Sequence, residues 1–181
     1  MTPDLRAEIK QTRPFASLEE ECYLNLERTT AVVGHAFAEA MKAHGITPTQ
    51  YNVLRILRGA GEGGLCRHEI RDRLVAQVPD VTRLLDRMED AGLVERARDS
   101  EDRRLVTTRI TRAGLKLLRT LDAPVLAMHE QTLGHLSDGQ LRQLIELLAL
   151  AREGGERRDA AATGVGAQSG SRSGRANTAG R

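Results

Sequence analysis

Between Leu65 and Ile110 the hydrophobic period switches from helical to alternating, and this switch constrains the chain more than any other feature. Ile70 and Leu74 mark a short helical face over about 67–75, and a turn at Ala76-Gln77-Val78 follows. Val81, Leu84, Leu85 and Met88 then recur at three- and four-residue spacing, which places them on one stripe of a second helix. Thr82, Arg83, Asp86 and Arg87 face elsewhere. Pro79 fits the first turn of that helix, Asp80 complements its dipole, and Gly92 ends it. Leu93–Arg98 and Arg104–Ile110 read as strands; in the second, Val106, Thr108 and Ile110 share one face, with Thr107 and Arg109 on the other. The intervening Asp99-Ser100-Glu101-Asp102-Arg103 is a charged hairpin tip. Two short helices across a tight turn, followed directly by a charged β-hairpin, describe a helix-turn-helix with a wing.

The flanks are helical. A long pattern from Leu18 to about His44 carries Cys22, Leu26, Val33, Phe37 and Met41 on roughly one face and stops at Gly45. Thr47-Pro48-Thr49-Gln50 has the chemistry of a capping box with proline at the first helical position. It opens a helix whose core side is Tyr51, Val53, Leu54, Ile56 and Leu57, closed by the run from Gly59 to Gly64. Thr111 caps a helix reaching about Leu133, inside which Pro124 is expected to kink or interrupt. Ser137-Asp138-Gly139-Gln140 opens a Leu-rich helix to about Arg152. The expected fold is mainly α with a small two- to three-stranded β-wing: a winged helix-turn-helix lobe plus a helical dimerisation region. The boundaries are a flexible arm at 1–17, a dimerisation helix at 18–46, the winged lobe at 47–111 and C-terminal dimerisation helices at 112–152. From 153 to 181 the chain is Gly, Ser, Ala, Thr and Arg, a composition expected to be disordered.

Composition excludes more than it assigns. Aromatics are 2% of 181 residues, so Leu, Val, Ile and Ala must fill the core, which favours helices over an all-β fold. No signal peptide or bilayer-length apolar run is visible, and two distant cysteines make no disulfide scaffold; the expected location is cytoplasmic, with no membrane partner. The net charge of +2 is misleading: five arginines and two acids after Gly154 supply +3, leaving −1 for the rest. Only local arrangement, not bulk charge, can argue for nucleic acid. His35, His44, His68, His129 and His135 lack metal-ligand spacing, and no phosphate loop or catalytic constellation is present, so no metal, cofactor or enzyme activity is expected.

Over roughly residues 18–152 the chain resembles the MarR family of bacterial transcription regulators. The stretches that carry the resemblance are ITPTQYNVLRIL, VPDVTRLLDRMEDAGLVER and DSEDRRLVTTRITRAG. The resemblance implies a homodimer with intertwined first and last helices on a pseudo-palindromic DNA operator, usually a repressor relieved by a small molecule or by oxidation. Recognition helices of such a dimer enter successive major grooves about 34 Å apart. Asp80, Thr82, Arg83 and Arg87 are the exposed candidates, with Arg83 ranked first for base edges because it lies nearer the helix start. The resemblance further implies that Arg104 enters the minor groove, held by Asp102, with Arg103 as a substitute or phosphate contact. Arg67 and His68 are candidate phosphate contacts or simply a solvated face.

An effector pocket between dimer helices and DNA-binding lobe, again implied by the family, has Leu26, Thr30, Val33, Tyr51 and Leu54 as candidate walls or plain core. One branch of the family senses peroxide through an N-terminal cysteine contacted by tyrosines. Here Tyr51 stands at the matching place, but Cys22 lies about one helical turn too early and Ala40 replaces the other tyrosine. The alternatives to a ligand-responsive repressor are therefore a redox-sensing repressor through Cys22, a winged-helix protein-interaction module, and an architectural DNA binder without strong operator preference. A basic strip of Arg83, Arg87, Arg103 and Arg104 would favour the repressor; scattered, acid-paired arginines would favour the interaction module.

Overall fold

The structure, a computed structural model, describes residues 4–98 and 106–165. In chain order its elements are α1 (Leu5–Glu8), α2 (Leu18–Lys42), α3 (Pro48–Ala60), a 3-10 turn (Gly61–Gly63), β1 (Leu65–Cys66), α4 (Arg67–Arg73), α5 (Val81–Asp90), β2 (Val94–Arg98), β3 (Val106–Ile110), α6 (Arg112–Leu133) and α7 (Asp138–Val165). They divide into two compact units, residues 1–133 and 134–181.

Local signals set most boundaries in the first unit. Thr47 Oγ1 accepts the Gln50 amide at 3.2 Å while Gln50 Oε1 accepts the Thr47 amide at 2.8 Å, which fixes the start of α3. Gly45 and Gly92, at φ 74° and 69°, end α2 and α5 in the left-handed region that disfavours side chains. The three strands form one antiparallel sheet in the order β1-β3-β2, with Leu65 opposite Thr108 and Val94 opposite Ile110. Gly64 lets β1 lie against β3, because a Cβ there would meet Thr107 Cγ2 at 2.7 Å.

Within the first unit a single core joins α2 and α6 to the winged lobe. Leu54 and Leu57 of α3, Ile70 of α4, Leu85 and Met88 of α5, Val94 of β2 and Leu118 and Leu121 of α6 are all essentially inaccessible. The four apolar positions expected to face inward from α5 do so. α6, assigned from sequence to dimerisation, places Leu118, Leu121 and Val125 in this core beside α3. Its stripe is thus largely covered within one chain.

Several expectations need correction. The arm at 1–17 contains a helical turn: Asp4 caps α1 through the Arg6 amide at 3.0 Å, Leu5 is buried, and Glu8 pairs with Arg28 of α2 at 3.6 Å. Pro79 precedes the helix instead of sitting in its first turn, since the N-cap of α5 is Asp80. Pro124 does not interrupt α6, which runs unbroken past it. In β3 the inward residue is Thr108, while Val106 is exposed, because β1 covers only the middle of that strand. α7 continues to Val165, beyond the boundary at 153, through a stretch whose three consecutive alanines (160–162) are strong helix formers.

Candidate nucleic-acid interface and ligand hollow

α5 is built to present one face. With Val81, Leu84, Leu85 and Met88 buried, Thr82, Arg83 and Arg87 are left on the outer side. Asp80 caps the helix by accepting the Arg83 amide at 2.9 Å, and its other oxygen lies 3.2 Å from Arg83 Nε. The Arg83 side chain is 82% exposed. An exposed pair of this kind contributes little and leaves the guanidinium free to swing. Arg87 Nε donates to the Arg83 carbonyl at 3.2 Å. Arg67, at the start of α4, donates to Thr82 Oγ1 at 3.0 Å, so two helices of the motif are joined at the candidate face.

Arg83 pairs with Asp80, whereas Asp86 is taken by Arg96, a residue the sequence reading did not single out. Arg96 of β2 approaches Asp86 at 2.7 Å and Glu89 at 2.6 Å, and its backbone N–H donates to Glu89 Oε1 at 2.9 Å. Hydrogen bonds from Arg96 hold the Glu89 carboxyl below the usual carboxylate range, and the same bonds push the guanidinium pKa up. The signal lay in the strand alternation, which puts Val94 and Arg96 on the side that faces α5.

Behind this face a cavity of about 330 Å³ is lined by Cys66, Arg67, His68, Thr82, Leu85, Arg96, Val106 and Thr108. The Cys66 thiol donates to Glu69 Oε2 at 2.9 Å, the Cys66 amide reaches the same oxygen at 2.9 Å, and a His68 ring nitrogen lies 3.2 Å from the sulfur. Burial, reinforced by the Glu69 carboxylate, pushes the thiol pKa up, while the thiol and amide donors hold Glu69 down. Cys66 is therefore a neutral structural cap. Cys22 is exposed, and both cysteines are free. Asp102, Arg103 and Arg104 lie outside the described residues, so the basic strip is seen only in its helical half, with Arg98 opposite Val106 nearest the tip.

A second hollow, of about 260 Å³, opens between α2, α3, α6 and the α4–α5 turn, lined by Phe37, Pro48, Thr49, Tyr51, Asn52, Arg55, Val75, Ala76 and His129. Phe37 meets Tyr51 edge-on at 5.5 Å and stacks on His129 at 6.2 Å, and the Arg55 guanidinium lies 5.9 Å from the Tyr51 ring centre. Of the expected walls only Tyr51 lines it; Leu54 is core, and Leu26, Thr30 and Val33 lie elsewhere along α2. Period alone could not find Arg55 or His129, because each belongs to the polar side of its own helix. Among the described residues no three His, Cys, Asp or Glu are placed to hold a metal, and no helix is long and apolar enough to cross a membrane.

This architecture agrees with known proteins. A family model described as MarR family matches residues 44–105. The HTH-type transcriptional regulator YkoM of Bacillus subtilis is 32% identical over 143 residues, 76% of this chain and 90% of that protein. The MarR transcription factor of Planctomyces limnophilus is 44% identical, over 76% of this chain and 99% of that one, with a TM-score of 0.59. The S. aureus MepR–DNA complex, 22% identical, shares the fold over 74% of this chain and 96% of its own, with a TM-score of 0.66. The relatives that match over most of this chain are transcription regulators. The chain belongs to the MarR family of winged-helix transcription regulators.

Proposed function

We propose that the protein is a homodimeric repressor that reads a pseudo-palindromic operator, with α5 in the major groove and the 99–105 wing tip in the minor groove. The observation that carries this reading is α5 itself: its apolar stripe is consumed by the core, which leaves Thr82, Arg83 and Arg87 outside the core for DNA, with Asp86 and Glu89 held by Arg96. The S. aureus relative is a complex with DNA and has the same fold. Arg83 takes a base edge and Arg87 a base or phosphate, while Arg67 keeps Thr82 in place. Arg104 reads the minor groove, held by Asp102, and Arg103 and His68 meet phosphate. A second copy covers the apolar side chains left in solvent, among them Leu18 and Tyr23 on α2 and Ile145, Leu147 and Leu150 on α7. The hollow beside Tyr51 receives the small-molecule effector that releases the DNA.

The experiment is fluorescence anisotropy on DNA from the protein's own upstream region and on scrambled DNA, each at two salt concentrations. A preference for the upstream sequence that survives higher salt is expected, since nonspecific phosphate binding weakens on both DNAs. Arg83→Ala should cost about 1–3 kcal/mol of that preference. Equal, salt-sensitive binding to both DNAs would establish an architectural binder instead. No binding at either salt would leave the protein-interaction reading, which draws its support from the pairing of Arg83 with Asp80.

A further inference from the structure

The geometry points to Asn52 as the positioning residue through which the hollow beside Tyr51 acts on the recognition helix, an inference that rests on the DNA-reading role proposed for α5. Asn52 Oδ1 accepts the backbone N–H of Val75 at 2.9 Å, across 23 residues of sequence. α4 has ended by then: Leu74, its C-cap, is already extended at ψ 137°, and Val75 is 90% exposed. Among the described residues this is the one side-chain hydrogen bond that reaches the 74–79 turn from another element. The turn leads directly to Asp80, whose carboxylate sets the first turn of α5. Holding Val75 therefore holds the entry to the recognition helix.

The same residues form a wall of the hollow. Asn52, Val75 and Ala76 line it together, so a body placed there touches both ends of the bond. Because the partner is a backbone donor, the atom facing Val75 must be the amide oxygen. The two Nδ2 donors have no other described bond, and they are free for an oxygen acceptor brought in by an occupant. An occupant that turns the amide toward itself, or that wedges between Asn52 and Val75, withdraws Oδ1 from Val75 and frees the turn. Asparagine is suited to this because it carries acceptor and donors on one short side chain. Aspartate would keep the latch and lose the handle.

The test uses the full chain and three substitutions. Asn52→Leu removes acceptor and donors at similar volume, Asn52→Asp keeps the acceptor, and Thr49→Phe tethers a ring to the wall of the hollow as a built-in occupant. Amide exchange over 74–80 and operator anisotropy are measured for each. Asn52→Leu should speed exchange in the turn and weaken operator binding about 2- to 10-fold, the span of one net hydrogen bond. Asn52→Asp should stay within about 2-fold of wild type on both, which separates loss of the latch from loss of packing. Thr49→Phe should reproduce the Asn52→Leu effect in the wild-type background and add little to it in the double variant. Wild-type exchange and affinity in Asn52→Leu, no effect of Thr49→Phe, or full additivity of the two would each overturn the proposal. Should the wild type bind no DNA, the reading of α5 fails, while exchange at Val75 still decides whether Asn52 holds the turn.

Discussion

Gly114, the third residue of α6, sits where the wing hands the chain back to the helices, and it makes an ordinarily favourable substitution harmful. Replacing a helical glycine by alanine normally gains about 0.5–1 kcal/mol, because glycine loses more backbone entropy on folding. At Gly114 a Cβ would run into the Leu93 carbonyl oxygen, with Ile110 Cγ1 at 2.9 Å and Leu54 Cδ2 at 3.3 Å. The oxygen cannot simply retreat. It accepts the Thr111 amide at 3.1 Å and the Thr111 hydroxyl at 3.2 Å, and that hydroxyl also bonds Gly92 O at 2.7 Å and receives the Gly114 amide at 3.0 Å. Overpacking of this kind costs about 1–3 kcal/mol, and a weakened bond at Leu93 adds about 1 kcal/mol. After the helix-propensity gain, Gly114→Ala should be less stable by about 1–3 kcal/mol, or roughly 2–10 °C in Tm for a chain of this size. The control is Gly59→Ala in α3, where a Cβ meets nothing within 4 Å and a gain of about 0.5–1 kcal/mol is expected. Urea denaturation followed by circular dichroism, at one fixed protein concentration, measures both. A Gly114→Ala protein as stable as wild type, or more so, would refute the close approach of α6 to Leu93.

Arg96→Met removes the partner of Asp86 and Glu89 and should lower stability modestly in the same assay, since both carboxylates are partly exposed and solvent screens the pair. Since Glu89 titrates below its ordinary value in the folded protein, the pair stabilises fully at neutral pH and loses its effect as pH falls through that lowered value. The gap between wild type and Arg96→Met should therefore close in acid, and a gap that widened would contradict the pairing. With its thiol pKa pushed up, Cys66 should react with iodoacetamide more slowly in the folded protein than in urea, with a rate still climbing at pH values where a free thiol has levelled off. Mass spectrometry of the Cys66 peptide reads this; folded and unfolded rates that coincide would remove Glu69 as its hydrogen-bond acceptor.

What the sequence made legible was local. The Thr47–Gln50 box, the Asp80 start, Gly45, Gly92 and the stripe of α5 each depend on neighbours within four residues, and all are found in the structure. Partners chosen over longer distances left no such trace. Arg96 seeks Glu89 seven residues back across a turn, and Asn52 seeks a backbone amide 23 residues on, which has no residue-type signature at all. Leu118 and Leu121 were legible as apolar, but not as core of the lobe, because period reports that a face is covered and not by what. At 1–17 and beyond 152 the reading weighed missing apolar residues more heavily than capping and helix propensity, and one buried leucine or a run of alanine reverses that balance.

Charge is where residue counting and structure diverge most. Between Asp80 and Asp90 there are four acids and two arginines, an unpromising sum for a segment proposed to enter a groove lined by phosphate. The structure engages three of those acids. Asp80 is turned to its own helix N-terminus as the cap, and Asp86 and Glu89 are drawn to one side by Arg96 from the neighbouring strand. Besides the capping Asp80, the charged residues of the segment left exposed are then Arg83, Arg87 and Asp90, two of the three basic. If Arg83 and Arg87 meet DNA as proposed, Arg96 does what neither can do at the same time: it pairs with Asp86 and Glu89 from the neighbouring strand. It follows that Arg96→Met should weaken operator binding more than its cost in stability implies, with the excess shrinking as salt screens the unmasked carboxylates. On the proposed reading of α5, Arg96 on β2 is as much a part of the DNA-reading surface as Arg83 and Arg87 on the helix.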